Sequence, residues 1–331
     1  MTLARGGRPR RLSTARAGAL RPLLERFERQ FDKAGRVGFD PVELPRRQAR
    51  PEEQEVVGLF AAALAYGRAD VFRPRLERVI EEMGPSPARF CDAMARSPRQ
   101  GAFAGFRYRF NRPEDVAALA AAIGHVRGIH GGLGARFTAL LAEEQGPGDA
   151  AGELSHALRR ALARLAGELR QAPPAQAILR QRGPHGLAHL LPDPGGSGAC
   201  KRWNLYLRWM VRGPDAVDLG VWKGIPTSAL VVPLDTHLAR IARHLGLTDR
   251  HDMTWRTAEE ITGSLRRIDP DDPVRFDFVL CHLGMSGACP ARRDPARCER
   301  CDLRVACRAR APRIRSARSG TSSPADDRVG R

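Results

Sequence analysis

Aromatic residues make up only 6% of this 331-residue chain, and Ala, Leu and Arg dominate it. That mixture argues against sheets, whose strands draw on aromatic and β-branched side chains, and for packed helices. Lysine is scarcer still: Lys33, Lys201 and Lys223 stand among 55 basic residues. Arginine stays protonated and cannot serve as a nucleophile, so each lysine is a position where amine chemistry is open. No apolar run approaches the roughly 20 residues that span a membrane. The basic start MTLARGGRPRRLSTARAG lacks the apolar core of a secretory signal. No internal repeat is visible. Seven cysteines, an odd number with four crowded into one stretch, suit metal binding in a reducing compartment better than a disulfide framework. The expectation is a soluble cytoplasmic monomer with no membrane partner.

What is present is charge of one sign. The formal net charge is +18 and the isoelectric point is near 11.0, which is what a polyanionic partner selects. Residues 1–17 and 308–331 each carry +5, leaving +8 on residues 18–307, so the folded part is basic in its own right. Nucleic acid is the partner this favours. The 42% of hydrophobic residues can supply a core. The division expected is a disordered basic tail at 1–17, a helical region at 18–310 and a second disordered basic tail at 311–331.

Along the chain, helical spacing appears at Leu20, Leu23, Leu24 and Phe27, then after Pro51, where Glu52, Glu53 and Glu55 suit the positive end of a helix dipole. Further helices are expected over about 69–83, 113–127, 132–144, 151–169, 178–190, 255–268 and 271–285. The segment LPDPGGSG cannot be regular structure, and it feeds a helix in which Trp203, Tyr206, Leu207 and Met210 repeat at helical spacing. This makes a hairpin at about 191–212. Pro233 then breaks an apolar run, and Asp235 or Thr236 can cap a helix that buries Leu238, Ile241, Ala242 and Leu245. FRYRF at 106–110 alternates like a strand-like connector with one apolar face, or like a stacking platform with phosphate contacts.

Cys289, Cys298, Cys301 and Cys307 are spaced C-x8-C-x2-C-x5-C. Four thiolates from so short a stretch can converge on one centre, and the asymmetric spacing favours a [4Fe–4S] cluster. Zinc is the alternative, although its sites more often present two close pairs. Arg292, Arg293 and Arg297 lie between the first two ligands; fixed by a cluster they suit successive phosphate oxygens, and without one they form a solvated basic loop.

This cysteine loop resembles that of endonuclease III and the adenine-mismatch glycosylases, with a first gap two residues longer here. PLDTHLARIARHLGL resembles the family's segment in which an aspartate followed by Thr-His opens a helix, and the Gly-rich hairpin adds to the likeness over about 191–307. The resemblance is to a bacterial, nucleoid-associated branch of the helix-hairpin-helix DNA glycosylases. It implies an all-α, two-lobed fold with the cluster loop at 289–307, and a base-excision glycosylase, with or without abasic-site lyase activity, acting on damaged double-stranded DNA.

The resemblance further implies that Asp235 stabilises the positive charge left on the sugar when a base departs. Lys201 is the counterpart of the lysine that attacks the sugar, with Lys223 as a substitute. Gly196 and Gly198 match the hairpin glycines, and Tyr66 or Arg68 matches the residue that fills the gap left by a flipped base. Burial and the neighbouring Arg202 are expected to lower the pKa of Lys201. Three departures stand: the hairpin reads LPDPGGSGACK, the first cysteine gap is longer, and Lys201 and Asp235 are 34 positions apart. The competing function is a non-catalytic iron–sulfur or zinc protein that binds nucleic acid. His237 and His244 flank the site and are read as structural.

Overall fold

A computed structural model of the protein describes residues 12–146 and 151–309, and every regular element among these is helical. Residues 1–11 of the expected first tail and the whole of the second, 311–331, lie outside the described residues. The first boundary falls earlier than 17: Leu12 is buried and Ser13 caps α1 (Thr14–Gln30), its side chain accepting from the Arg16 N–H.

Two short helices, α2 (Lys33–Val37) and α3 (Glu43–Arg46), lead to α4 (Pro51–Leu64). Pro51 at its first turn needs no N–H partner, and from Glu53 onward α4 is buried almost all round. The acids expected to serve this helix's own dipole do something else. Glu53 accepts from the Ala88 N–H at 2.8 Å, at the start of α6 (Pro87–Arg96), and Glu55 accepts from the Leu133 N–H at 2.9 Å, at the start of α8 (Leu133–Glu144). Two carboxylates of one helix thus satisfy the orphan N–H groups of two others.

Between them run α5 (Ala69–Met83) and α7 (Pro113–His130), the second buried helix, with an Ala-rich interior from Val116 to Val126. α6 was not anticipated, although Ser86-Pro87 is a cap followed by a first-turn proline. α9 (Ala151–Gln171) and α10 (Pro173–Leu179) complete the shell around α7. The single helix expected over 178–190 is broken, because Gly183 at φ +85° and Pro184 end α10 and restart the chain as α11 (His185–Leu190). FRYRF is no strand: Tyr108 and Asn111 pair in an isolated bridge across a tight turn.

The second half holds α12 (Lys201–Val211), α13 (Thr236–Leu245), α14 (Trp255–Arg266), α15 (Asp277–Met285) and the short α16 (Pro295–Cys298). α15 starts six residues later than expected, the stretch before it being turns. The N-terminal helix packs with this half, through Arg275–Glu28 at 2.7 Å and Arg267 donating to the Leu12 carbonyl at 2.6 Å.

Close approach of α6 and α7 depends on Gly124, where a Cβ would lie 1.9 Å from the Cys91 carbonyl oxygen. Gly124→Ala gains about 1 kcal/mol of helix propensity but forces two backbones apart. Overpacking of this kind costs about 1–3 kcal/mol. The expected net result is a lower urea midpoint at unchanged slope, measured by circular dichroism.

Candidate functional site

α11, the turn-rich segment 191–200 and α12 form a helix, a Gly-rich hairpin and a second helix. An Asx turn starts the hairpin, Asp193 Oδ1 accepting from the Gly195 N–H at 2.8 Å, and Arg159 clamps it by donating to the Pro194 and Gly196 carbonyls at 2.7 and 2.6 Å. Gly196 and Gly198 are exposed at its tip, and Gly198 bridges to Thr254 ahead of α14. Cys200, in the left-handed region at φ +48°, turns the chain into α12, so that Lys201 is the first residue of that helix.

Asp235 is the N-cap of α13, with Oδ1 accepting from the Leu238 N–H at 2.8 Å. Its other oxygen, Oδ2, lies 3.3 Å from Lys201 Nζ. The 34 intervening positions do not separate the two because the extra chain folds back on α12. Leu219 and Gly220 donate to the Trp209 carbonyl at 2.9 and 3.1 Å, Trp222 N–H to the Met210 carbonyl at 2.7 Å, and the Trp222 indole to Glu55 of α4 at 2.8 Å. Under this segment Asp218 is wholly buried between Arg208 (3.1 Å) and Arg212 (2.7 Å). Lys223 is exposed and bonds to the Gly220 carbonyl, and Lys33 pairs with Glu28, so Lys201 alone of the three joins Asp235.

The pair opens into a cavity of about 140 Å³. Its walls include Asp40 and Gly67, Leu205 and Arg208 of α12, His237 of α13, and Asp277, Cys281 and His282 of α15. Cys281 Sγ donates to Asp235 Oδ2 at 3.3 Å, and His282 Nε2 lies 3.3 Å from Asp40. Asp40, Asp277, Cys281 and His282 were not anticipated. The α15 segment reads as an apolar helix leading into the cysteines, and only its spacing, which puts 277, 281 and 285 on one face, carries a signal.

The electrostatics correct one expectation. Lys201 is not driven toward a free amine: burial pulls its pKa down, but Asp235, Cys281 and Asp40 outweigh it and the net direction is up. Arg202 instead lies over the Tyr66 ring, 5.5 Å from its centroid, where burial lowers its own pKa to about 10. Burial also pushes Asp235 up, yet Lys201, the Leu238 N–H and Cys281 together hold it below the ordinary carboxylate range. Cys281 is raised far above an ordinary thiol by burial and the carboxylates, so it is a neutral donor. Asp277 is raised to about 7 by burial despite Arg208. The resting pair is therefore ammonium and carboxylate.

Tyr66 and Arg68 do not line the cavity, whereas Gly67 between them does. Tyr66 is half-buried among Tyr108, Phe110 and His189, its hydroxyl donating to Asn111 Oδ1 at 2.6 Å; Arg68 is exposed and pairs with Asp70 at 2.6 Å.

The cysteine loop is seated on the other end of α13. Arg308 N–H donates to the His244 carbonyl at 2.6 Å, Arg240 to the Cys289 carbonyl at 3.0 Å, and Arg16 of α1 to the Ala306 carbonyl. Burial raises Cys289 to about 11, and Cys307, Cys301 and Cys298 add to the rise; Cys301 is raised by burial and then by Cys307 and Cys298. Backbone N–H groups of Asp294 and Ala309 point at the sulfurs of Cys298 and Cys307, each at 3.4 Å. Cys289 and Cys301 thus each feel the charge of the Cys298 and Cys307 thiols. Among the described residues, no group of three or more His, Cys, Asp or Glu side chains is arranged to hold a metal ion. His244, read as structural, has its Nδ1 3.6 Å from Cys289 Sγ. Arg292, Arg293 and Arg297 are exposed, and Arg297 also donates to the Gly287 carbonyl at 3.0 Å.

The pair sets a pH window. A lowered carboxylate contributes stability above its unfolded value of about 3.9, lost as pH falls through the folded value; a raised ammonium contributes below about 10.4, lost as pH rises through the folded value. Asp235→Asn keeps the cap and removes the charge. It is expected to lower the pKa of Lys201, read from the NMR shift of that amine after reductive 13C-methylation; an unchanged titration contradicts the pairing.

No helix among the described residues is long and apolar enough to cross a membrane. No curated protein and no solved structure matches the chain. A family model described as "Protein of unknown function (DUF2400)" matches residues 40–286, about three quarters of the sequence, from Asp40 of the cavity through α15 and short of the cysteine quartet. On that match the chain belongs to the DUF2400 family.

Proposed function

We propose that this protein is a DNA glycosylase of the helix-hairpin-helix type with abasic-site lyase activity, working at the cavity between α12, α13 and α15. The observation that carries the proposal is the meeting of Lys201 and Asp235 at 3.3 Å beside a Gly-rich helical hairpin, across 34 residues of sequence. An ion pair of that kind, opening into a cavity in a basic chain, fits attack on a sugar carbon. The base's glycosidic bond breaks with its electron pair going to the departing nitrogen, and the buried carboxylate stabilises the positive charge left on the sugar. Lys201 Nζ forms the new bond at that carbon once its proton has passed to Asp235 Oδ2. The raised pKa of Lys201 makes that proton transfer, rather than a pre-formed free amine, the condition for attack.

The C-x8-C-x2-C-x5-C spacing, in a loop seated at the end of α13, supports a [4Fe–4S] cluster that Cys289, Cys298, Cys301 and Cys307 would hold. Its contribution in this reading is rigidity for the loop that presents Arg292, Arg293 and Arg297 to phosphates.

Borohydride trapping on oligonucleotides carrying abasic, oxidised or deaminated sites is the test. A covalent adduct is expected with the wild type and none with Lys201→Ala, while Asp235→Asn slows base release about 10²- to 10³-fold. An enzyme that releases base without an adduct is a monofunctional glycosylase, and absence of turnover on every lesion points to a non-catalytic DNA-binding protein. For the cysteines, anaerobically purified protein is expected to be brown, absorbing at roughly 400 nm. A colourless protein with stoichiometric zinc replaces the cluster by a zinc site.

A further inference from the structure

FRYRF and its surroundings are not used by the cavity chemistry, yet they are built with unusual care. Two of the three non-glycine residues at positive φ among the described residues lie here, Phe103 at +60° and Arg109 at +53°. Such conformations persist only where the surroundings over-determine them. Arg75 of α5 does so by donating to the Arg107 carbonyl at 2.9 Å and covering the Tyr108 ring, while Arg182 donates to the Phe110 carbonyl at 2.9 Å.

This bracing turns Phe110 outward. It is 50% exposed, with one side covered by His189 (centroids 4.1 Å) and by Tyr66 (6.3 Å, near-parallel). A cleft of about 450 Å³ opens between α5 and the same turn, lined in part by Arg75, Arg78, Glu82, Phe106 and Arg107. Arg78, Arg107 and Arg109 are exposed, and none of their guanidinium groups has a hydrogen-bond or ion-pair partner among the described residues. The surface continues into the cavity wall: a Cβ on Gly67 would lie 2.9 Å from Arg109 Nη2.

Unpaired cations around an exposed, supported ring match a chain of phosphates bearing flat bases better than an acidic protein, which offers no repeated π-faces. We propose that α5 and residues 106–110 form a second DNA contact, in which Arg78, Arg107 and Arg109 bind phosphates of one strand and Phe110 stacks on a base of it. This rests on the reading of the protein as DNA-binding, and not on its catalysing anything.

The test is binding of the full chain to an undamaged duplex with a single-stranded overhang, whose unpaired bases are free to stack, followed by fluorescence anisotropy from 50 to 300 mM salt, roughly the range in which counterion release is read. Replacing Arg78, Arg107 and Arg109 together by Ala should reduce the slope of log K against log salt by about 2 to 3, at roughly 0.7 (single strand) to 0.9 (duplex) per phosphate. Phe110→Ala should weaken binding roughly 5- to 150-fold, the range of single base-stacking contacts, and leave the slope unchanged. These side chains are exposed, and thermal unfolding of the variants checks that the fold is intact. An unchanged slope in the triple variant, or unchanged affinity in Phe110→Ala, overturns the proposal. The duplex carries no lesion, so inactivity toward damaged bases leaves this result standing, and a negative result here leaves the trapping experiment standing.

Discussion

The ion pair between Lys201 and Asp235 is the constraint on which the arrangement of this protein turns. Each group sits at a helix start, Lys201 as the first residue of α12 and Asp235 as the N-cap of α13. The positive end of a helix dipole favours the carboxylate and disfavours the ammonium. Lys201, 37% exposed over a carboxylate that is 12% exposed, therefore keeps its charge through Asp235 and Asp40 rather than through the helix it begins. Bringing two helix starts together in this way needs the connection between them to be fixed. The buried Arg208 and Asp218, the half-buried Arg212 and the Trp222–Glu55 bond fix it. Buried charges of this kind are costly to break singly.

α13 joins the cavity to the cysteine loop. At ten residues it is about 15 Å long. Asp235 stands at one end, and the cysteine loop hangs from His244 and Leu245 at the other, held there also by Arg16 of α1. α15 lies against it closely enough that a Cβ on Gly284 would meet His237 Cβ at 2.8 Å. The same contact places Cys281 and His282 on the wall facing Lys201.

Much of this was legible in the sequence where the cause is local. The all-helical class followed from composition, α5 from punctuation by Gly67 and Gly84, and the Asp235 cap from Pro233 and the apolar spacing behind it. The cysteines could be grouped because they are neighbours in the chain. What stayed hidden depends on contacts between distant segments. Glu53 and Glu55 read as complements to the dipole of their own helix and instead serve α6 and α8. The direction of the Lys201 shift was misread because Arg202 is its neighbour in sequence while Asp235, 34 positions away, is its partner in space. Asp40 and Cys281 carry no motif, and only the folded chain brings them to Lys201.

The account is tested most directly by finding which amine carries the sugar. Proteolysis of the reduced protein–DNA adduct followed by peptide mass spectrometry should place the added mass on the peptide containing Lys201. Mass found on Lys33, Lys223 or the N-terminal amine, with Lys201 unmodified, would contradict the role given to the pair.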